Sequence, residues 1–329
     1  MDKKNVTIAD IAQDLGISKT TVSRSISGKG RIGDATRERV LQYIAEHDYK
    51  PNMIAKSLAN SCTYNIGVIM PENYCMSDAA FFVNCLSGVH AAAAARGYDV
   101  LLTVCDNIDL ENLERMVARR KVDGVVVMRT FVEDHAIPLL IKKQMPFVVA
   151  GSSTIEHVIQ IDHKNEEACK KLTELLLSQN LERIALIGSN MHEVVSQKRY
   201  QGFLAAHASM GRQVRKELVY TDSTGTVGDA VENILKIGAD GVICMDDHIC
   251  LETLGYLKKA DCLIPDQIKV ASFFDSPLLE NYVPSITTIS FDVYKLGLVS
   301  GNTLIDVIEK KEVCRRTFVG YQIMRRDSA

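Results

Sequence analysis

Short apolar runs alternate with amphipathic stretches from Tyr64 onwards, and this alternation constrains the fold more than any other feature of the chain. It is typical of parallel strands joined by crossover helices. Seven such runs exceed one small sheet, so we predict an α/β core with two doubly wound lobes. The runs are NIGVIM, DVLLTV, GVVVM, PFVVAG, RIALIG, GVICM and IKVASFF.

The boundary between the lobes is predicted near Asp162, because IQIDH is interpreted as the start of a second strand–helix cycle. From Asp292 the tail predicts a long helix, DVYKLGLVSGNTLIDVIEK, followed by the strand-like TFVGYQIM. We therefore assign residues 63–329 to the core. Its N-lobe is placed at about 63–161 plus 292–320, and its C-lobe at about 162–291 plus the C-terminal strand.

The first 60 residues show three capped helical segments instead. The first is capped by Thr7 and runs to about Asp14, and Gly16 ends it. The second is capped by Ser18 and runs to about Ile26. The third, DATRERVLQYIAEHD, has Asp34 as its cap and the apolar positions Ala35, Val40, Ile44 and Ala45 mainly on one side. Residues 1–50 thus form a helical head, and residues 51–62, with the short helical stretch NMIAKSLAN, form a hinge and linker.

The first two helices have the residue pattern of a helix-turn-helix unit. Ala12 is small where two helices must cross closely, and Gly16 lies at the tight turn, where a left-handed conformation is needed. Ile17 and Val22 are predicted to face inward beneath the second helix. The apolar positions of the unit are Ile8, Ile11, Ala12, Leu15, Ile17, Val22 and Ile26.

The second helix then presents a polar face to the outside. Lys and Arg side chains donate to guanine acceptors in the major groove, and Thr bonds a base edge or contacts a thymine methyl. The outward residues are Lys19, Thr20, Ser23 and Arg24, while Ser18 and Thr21 suit phosphate contacts near the helix N-terminus. The first 60 residues carry ten Lys or Arg and seven Asp or Glu, within a chain of net charge −3, which fits a polyanionic partner. The alternative is a solvated face on a small helical domain.

Gly28, Gly30 and Gly33 spell the glycine pattern of dinucleotide-binding proteins. That fingerprint needs a strand before the first glycine and an acidic residue about 20 positions later. Here a predicted helix precedes Gly28, and position 53 is Met. We therefore predict a loop between the second and third helices, with Lys29 and Arg31 near phosphates.

The remaining motifs favour a binding protein over an enzyme. The chain lacks a nucleophile elbow, a Walker A loop and an H-E-x-x-H pair, so no catalytic residues and no cofactor are predicted. Cys244, His248 and Cys250 lie close in sequence, but their predicted directions diverge, and no metal is expected. No signal peptide or membrane-spanning run is evident, which predicts a cytoplasmic protein without a membrane partner.

The sequence resembles the lactose-repressor/purine-repressor (LacI) family of bacterial transcription regulators over nearly its whole length. TIADIAQDLGISKTTVSRSISG and TRERVLQYIAEHDYKPNMIAKSLA carry the resemblance in the head. IGVIMPE, GYDVLL, KVDGVVVM, RIALIG, RYQGF and PSITTISFD carry it in the core. The resemblance implies a three-helix DNA-binding head, a hinge helix and a dimerising core like that of periplasmic binding proteins.

For the DNA contacts, the resemblance implies roles for particular residues. Lys19, Thr20 and Arg24 match base-reading positions of the family. NMIAKSLA resembles the hinge helix that enters the minor groove, with Ala55 as a groove contact and Leu58 as the wedge between base steps. Ser27 departs from the Asn that is usual at its position, which puts one phosphate contact in doubt.

For the effector, ligands of open α/β lobes collect beyond the C-terminal ends of the strands. Phe82 matches a family position that packs on the ligand, Arg199 the arginine that binds effector oxygens, and Asp275 the ligand-binding aspartate. Asp246 follows the strand GVICM. Arginine with carboxylates suits the hydroxyls of a sugar or a related polyol.

Some family positions differ in this chain. Gly151 and Ser152 stand where an Asp followed by a polar or aromatic residue is common. Ser223 and Val293 replace aromatic residues of some members, and Tyr294 is a candidate to stack in their place. These departures leave the effector unidentified.

The sequence as a whole predicts a DNA-binding transcription regulator, and a repressor rather than an activator. We expect it to bind a pseudo-palindromic operator as a homodimer, under the control of a carbohydrate-like effector. One rival is a soluble sugar-binding receptor without DNA function, against which the first 60 residues and the missing signal peptide count. A second rival is a metabolic enzyme with a doubly wound core, which the missing catalytic motifs disfavour.

Overall fold

The computed structural model of the chain describes residues 6–28, 30–47, 49, 57, 62–72, 78–188, 190–221 and 225–329. The chain divides into two compact units, residues 1–63 and residues 64–329. Most of the predicted hinge, including Ala55 and Leu58, lies outside the described residues, as do Lys29 and Ser223.

The head contains three helices, α1 (Ile8–Asp14), α2 (Lys19–Ser27) and α3 (Asp34–Glu46). Thr7 caps α1 in a full capping box with Asp10, and Ser18 caps α2 by accepting from the Thr21 backbone N–H, as predicted. The predicted cap of α3 is wrong. Gly33 occupies the N-cap position without a side-chain bond, and Asp34 is the first helical residue. Its carboxylate there still complements the positive end of the helix dipole.

The core of the head is small. Ile11, Val22 and Val40, one from each helix, are completely buried, and Ala12 and Tyr49 join them. Ile8, Leu15, Ile17, Ile26 and Ile44 pack around this centre. Ala35 and Ala45 are exposed, contrary to the prediction for α3, because the buried stripe runs through Val40, Tyr43 and Ile44 instead. Few apolar groups thus hold the three helices together.

The N-lobe is built on a parallel sheet with strand order β11-β5-β4-β3-β1-β2. Its strands are β1 (Asn65–Pro71), β2 (Asp99–Cys105), β3 (Gly124–Val127), β4 (Phe147–Ala150), β5 (Gln160–Asp162) and β11 (Arg316–Phe318). Its helices are α4 (Asp78–Ala95), α5 (Glu111–Ala118), α6 (Ala136–Lys142) and α12 (Val293–Ile308). The interpretation of IQIDH as the start of a second strand–helix cycle is wrong, because β5 pairs with β4 in the first sheet. The chain leaves the first lobe directly after this strand, at Asp162.

The C-lobe repeats the plan with strand order β12-β10-β9-β8-β6-β7. Only β12 runs antiparallel to its neighbour among the described strands of this sheet. The strands are β6 (Ile184–Ile187), β7 (Val219–Tyr220), β8 (Gly241–Cys244), β9 (Lys269–Ser272), β10 (Thr287–Phe291) and β12 (Tyr321–Met324). The helices are α7 (Asn165–Leu177), α8 (Val194–Ser209), α9 (Val227–Ile237), α10 (Asp247–Lys259) and the short α11 (Pro277–Glu280), with a 3₁₀ turn at Lys216–Leu218.

The C-terminal tail belongs to both lobes. The stretch TFVGYQIM, which the sequence presents as one strand-like unit, is divided between β11 in the first sheet and β12 in the second. Helix α12 packs along α4, where small residues allow the backbones to approach closely. A Cβ added at Gly297 would lie 1.9 Å from the Cys85 carbonyl oxygen, so only glycine fits there. The chain therefore crosses between the lobes three times, after β5, after β10 and after β11.

Candidate functional site

The polar face of α2 is where the sequence predicted it. Val22 is completely buried and Ile17 is half-buried, which turns the opposite side of the helix outward. Lys19, Thr20, Ser23 and Arg24 are all exposed on this helix. The described head therefore offers two cations and two hydroxyls to solvent on one helix.

The two hydroxyls at the start of α2 are engaged with each other. The Ser18 Oγ accepts from the Thr21 backbone N–H at 3.1 Å and lies 2.9 Å from the Thr21 Oγ1. Ser18 is exposed and Thr21 is half-buried. The pair fixes the first turn of the helix, and with it the direction of the residues that follow.

The glycine-rich loop ends helix α2, so it follows a helix and not a strand. Gly28 ends α2 in the left-handed conformation at φ 69°. A Cβ at Gly30, where φ is 86°, would lie 3.3 Å from the Cδ of Arg24. The stem of Arg24 thus lies against the loop, and the pattern lacks the strand that a dinucleotide site requires.

A cleft of about 1030 Å³, part of it open to solvent, lies between the two lobes of the core. Its wall contains residues that follow β3, β4 and β5 of the N-lobe and β8 and β9 of the C-lobe. This is the position in which open α/β sheets bind ligands. The lining residues are Phe81, Phe82, Met128, Arg129, Thr130, Ala150, Gly151, Ser152, Asp162, His163, Asn165, Glu193, Val195, Ser196, Arg199, Asp246, Asp247, Phe274, Phe291 and Leu296.

Four phenylalanine rings form the apolar part of this wall. Phe81 and Phe82 on α4 meet edge to face at 5.2 Å, and Phe81 reaches Phe274 of the other lobe at 6.1 Å. Phe274 and Phe291 stack at 6.1 Å. Phe81, Phe274 and Phe291 are partly exposed and supply apolar surface from both lobes, whereas Phe82 is buried beneath Phe81 and Arg129.

Arg199 projects from α8 into the cleft. One of its guanidinium nitrogens donates to the Met245 carbonyl at 2.7 Å, and its charged carbon lies 5.9 Å from the centre of the Phe274 ring. Its Nε is buried and has no hydrogen-bond partner among the described residues. A buried N–H donor without an acceptor is costly, so this nitrogen is suited to an oxygen of a ligand.

Asp162 organises the polar floor at the crossing between the lobes. Its carboxylate accepts from Ser152 Oγ at 2.5 Å, from the His163 backbone N–H at 2.8 Å and from Asn165 Nδ2 at 3.0 Å. Three donors satisfy most of its acceptor capacity. Asp162 therefore holds the loop after β4 and the start of α7 in place, and it has little capacity left for a ligand.

His163 lies beside this carboxylate and reaches the second crossing. Its Nε2 is 3.2 Å from the Asp292 carbonyl, and its ring lies 4.9 Å from that of Phe291. Burial lowers the pKa of His163, although the contact with the Asp292 carbonyl and nearby carboxylates oppose the shift. The ring is thus favoured in its neutral form at the joint of the two lobes.

Three of the four predicted effector residues line the cleft, and Asp275 does not. Phe82 and Arg199 are in the wall, and Asp246 caps α10 by accepting from the Ile249 N–H at 2.8 Å. The Asp275 carboxylate instead forms a two-bond ion pair with Arg326, at 2.7 and 3.0 Å. Arg326 follows the C-terminal strand β12, 51 positions after Asp275, so no local sequence signal marks the two residues as partners.

Several lining residues were missed. Arg129 and Thr130 follow the predicted strand GVVVM directly, and Phe274 ends the run IKVASFF, so their place at strand ends was a usable signal. Glu193 carried no such signal. Gly151 and Ser152, noted as departures, do line the cleft. Tyr294 does not replace the missing aromatics, because it is 47% exposed on α12.

The cysteines and the histidine that were weighed as metal ligands do not form a site. Cys244 and Cys250 are buried and His248 is exposed. A hydrogen bond with Cys244, together with burial, raises the pKa of the Cys250 thiol well above its usual range. Within the described ranges no cluster of three metal-ligating side chains exists, and no helix is long and apolar enough to cross a membrane.

Both units match known protein families. The model described as "Bacterial regulatory proteins, lacI family" matches residues 7–52, and the "Periplasmic binding protein-like domain" matches residues 173–329. These two matches cover the head and the C-terminal half of the core. A match over the head favours the regulator over the sugar-binding receptor.

Relatives of full length support the same assignment. The chain is 26% identical over 331 residues to the HTH-type transcriptional regulator RegA of Clostridium saccharobutylicum, covering 98% of each chain. It resembles the transcriptional regulator CelR in its cellobiose complex, with a TM-score of 0.75, 25% identity and coverage of 98% and 100%. The lac repressor dimer bound to operator and the anti-inducer ONPF shares the fold, with a TM-score of 0.79, 20% identity and coverage of 99% of each chain.

A helix-turn-helix head joined to a two-lobed core with a cleft defines an effector-controlled, DNA-binding transcription regulator. Regulators of this class combine a DNA-binding helix with a ligand site in the core. The head of this chain matches the lacI family of bacterial regulatory proteins, and 98% of the chain is similar to a curated transcription regulator.

Proposed function

We propose that this regulator represses transcription by reading a pseudo-palindromic operator with the outward face of α2, and that a carbohydrate-like effector in the cleft controls it. The observation that carries the proposal is the exposed set of Lys19, Thr20, Ser23 and Arg24 on a helix whose other side is buried. Lys19, Thr20 and Arg24 contact bases. Ser18, Thr21 and Ser23 contact phosphates and groove edges. The minor-groove roles of Ala55 and Leu58 remain predictions of the sequence.

A homodimer is the form in which two heads read a pseudo-palindrome. Apolar side chains on the core surface support this proposal. Leu102 and Val104 are 49% and 37% exposed on the edge strand β2, and Ile108 in the following loop is 83% exposed. Leu278 and Val283 of the C-lobe are 64% and 89% exposed. A second copy of the chain would remove these groups from water, which is favourable.

The composition of the cleft supports a carbohydrate-like effector. The partly exposed rings of Phe81, Phe274 and Phe291 offer apolar surfaces, as the C–H faces of a sugar require, and the buried Phe82 supports them from behind. The Nε–H of Arg199 is a donor without a hydrogen-bond partner among the described residues, and Thr130 and Ser196 contribute hydroxyls to the wall. The similar CelR structure is a complex with cellobiose. Together these features favour a neutral or weakly charged sugar derivative.

The proposal is tested by a thermal-shift screen of the full-length protein with sugars, sugar acids and sugar phosphates. A ligand that binds only the folded state raises the midpoint. Arg199→Ala should abolish the shift at the same ligand concentration, because a lost bond to a charged donor costs roughly 1.5–3 kcal/mol. Arg215→Ala, an exposed position of the same lobe outside the cleft wall, is the matched control and should keep the shift. An equal shift in both variants would remove Arg199 from the effector site.

A further inference from the structure

Two loops from opposite lobes pair with each other beside the cleft. The first follows β3 in the N-lobe and contains Thr130–Val132, and the second precedes α8 in the C-lobe and contains residues 192–194. The Val132 N–H donates to the His192 carbonyl at 2.8 Å, and the Val194 N–H donates to the Thr130 carbonyl at 3.1 Å. Phe131 and Glu193 form an antiparallel bridge between these bonds. The two lobes thus share a short piece of β-structure.

An ion pair reinforces this contact. The Arg129 guanidinium lies 3.2 Å from the Glu193 carboxylate, with only 15% and 11% of the two side chains exposed. Arg129 also stands over the Phe82 ring, with 5.0 Å from its guanidinium carbon to the ring centre. An ion pair withdrawn from water is screened less than a surface pair, and removing one member leaves a poorly solvated charge.

The pairing differs from the contact between His163 and Asp292. The bond of His163 to Asp292 lies at two of the covalent crossings, where the chain itself keeps the lobes together. No covalent crossing occurs within residues 129–132 or 192–194, and these segments are about sixty positions apart. Only non-covalent bonds hold the lobes together at this place.

We propose that Arg129 and Glu193 form an ionic clasp that holds the two lobes together. The regulatory meaning of the clasp rests on the proposed effector control, but the contact itself can be tested without a ligand. Both side chains line the cleft, so a ligand that reaches them bonds to the pair or displaces it. Effector binding is coupled to lobe closure through this contact, and Arg129 and Glu193 act as positioning residues.

Amide hydrogen exchange of the full-length protein, without added ligand, measures directly how well the clasp protects the backbone bonds between the lobes. In Glu193→Gln, the Val132 amide, which bonds across the lobes and is remote from the substitution in sequence, should exchange roughly tenfold faster or more. In Arg129→Gln, the Val194 amide should respond in the same way. Glu166→Gln is the matched control, because it removes an exposed ion pair, Glu166–Lys198 at 3.0 Å, within the C-lobe alone. It should leave both amides unchanged.

The double exchange Arg129→Glu with Glu193→Arg restores opposite charges across the lobes and should slow the Val132 amide again. Amides of the buried strand β1 serve as a folding check and should stay slow in every variant. If the Val132 amide exchanges at the wild-type rate in Glu193→Gln while β1 is intact, the clasp does not exist. Because no ligand is used, this result is independent of the thermal-shift screen, and either proposal can fail without the other.

Discussion

The polar face of α2 and the cleft are the two surfaces that we propose bind DNA and effector, and they are built in opposite ways. The face of α2 comes from seven consecutive residues, Ser18–Arg24, and its outward side chains are exposed. The cleft collects residues from Phe81 to Leu296, and most of its polar groups are bonded to one another. A surface that one helix provides depends on local sequence, whereas a surface between two lobes depends on the packing of the whole core.

The dependence of the cleft on core packing is tested with the largest expected effect at Gly297. A Cβ there would overlap the Cys85 carbonyl oxygen, so Gly297→Ala must push α12 away from α4. Overpacking of this kind costs roughly 3 kcal/mol, and we expect that loss in urea unfolding of the full-length protein. Helix α12 also supplies Leu296 to the cleft, so the ligand-induced thermal shift should weaken as well.

Gly255 provides the matched control. It lies in the interior of α10, is exposed, and has no atom within 4 Å of an added Cβ. Gly255→Ala should stabilise the protein by about 1 kcal/mol, since alanine is the better helix former. Equal losses in the two variants would show that the close approach of α4 and α12 is not what holds the cleft.

The face of α2 is tested at Arg24. Arg24→Ala should lower affinity for the preferred operator by roughly 1–3 kcal/mol, about 5- to 150-fold, and relax the preference at one base pair of each half-site. Binding-site selection from random DNA, followed by titration, measures both effects.

Arg31, in the loop after α2, is the comparison residue. We expect Arg31→Ala to weaken binding to all sequences alike and to reduce the slope of affinity against salt by about one. If Arg24→Ala behaves in this uniform way too, Arg24 contacts phosphate and the reading face must be reassigned.

The smallest expected effect concerns pH and His163. Because burial lowers its pKa in the folded state, the unfolded chain takes up a proton first as the pH falls through about 6.5. The free energy of unfolding should therefore fall from pH 7 to pH 5, by at most about 1.4 kcal/mol per pH unit for this group.

His163→Gln should flatten this profile when urea unfolding is measured between pH 5 and pH 8. Burial lowers the pKa of His207 also, so some slope should remain in the variant. Parallel profiles for wild type and variant would mean that His163 is not held neutral at the joint.

The sequence predicted the head in detail because its signals are local. Caps at Thr7 and Ser18 and the buried Val22 decide which way α2 faces, and each follows from residues a few positions apart. In the core, the two lobes and seven of the strands followed from apolar runs, whereas the strand order comes from the structure alone. The place of β5 was missed, because a short strand looks the same whichever sheet it joins.

The contents of the cleft were predicted only in part, for a physical reason. Whether a carboxylate serves a ligand or an ion pair depends on which distant residue folds beside it. Asp275 is held by Arg326, 51 positions later, and Arg129 is held by Glu193. Such pairs form only in the folded core, and no spacing in the sequence reveals them.

The central claim is that a ligand in the cleft controls operator binding by α2. The direct measurement is operator affinity of the full-length protein, at fixed salt, with and without a ligand found in the thermal-shift screen. The account predicts that the ligand changes wild-type operator affinity by about 5- to 150-fold, corresponding to 1–3 kcal/mol of coupling, and leaves the affinity of Arg199→Ala unchanged. If a ligand that occupies the cleft leaves the wild-type operator affinity unaltered, the cleft does not control the head.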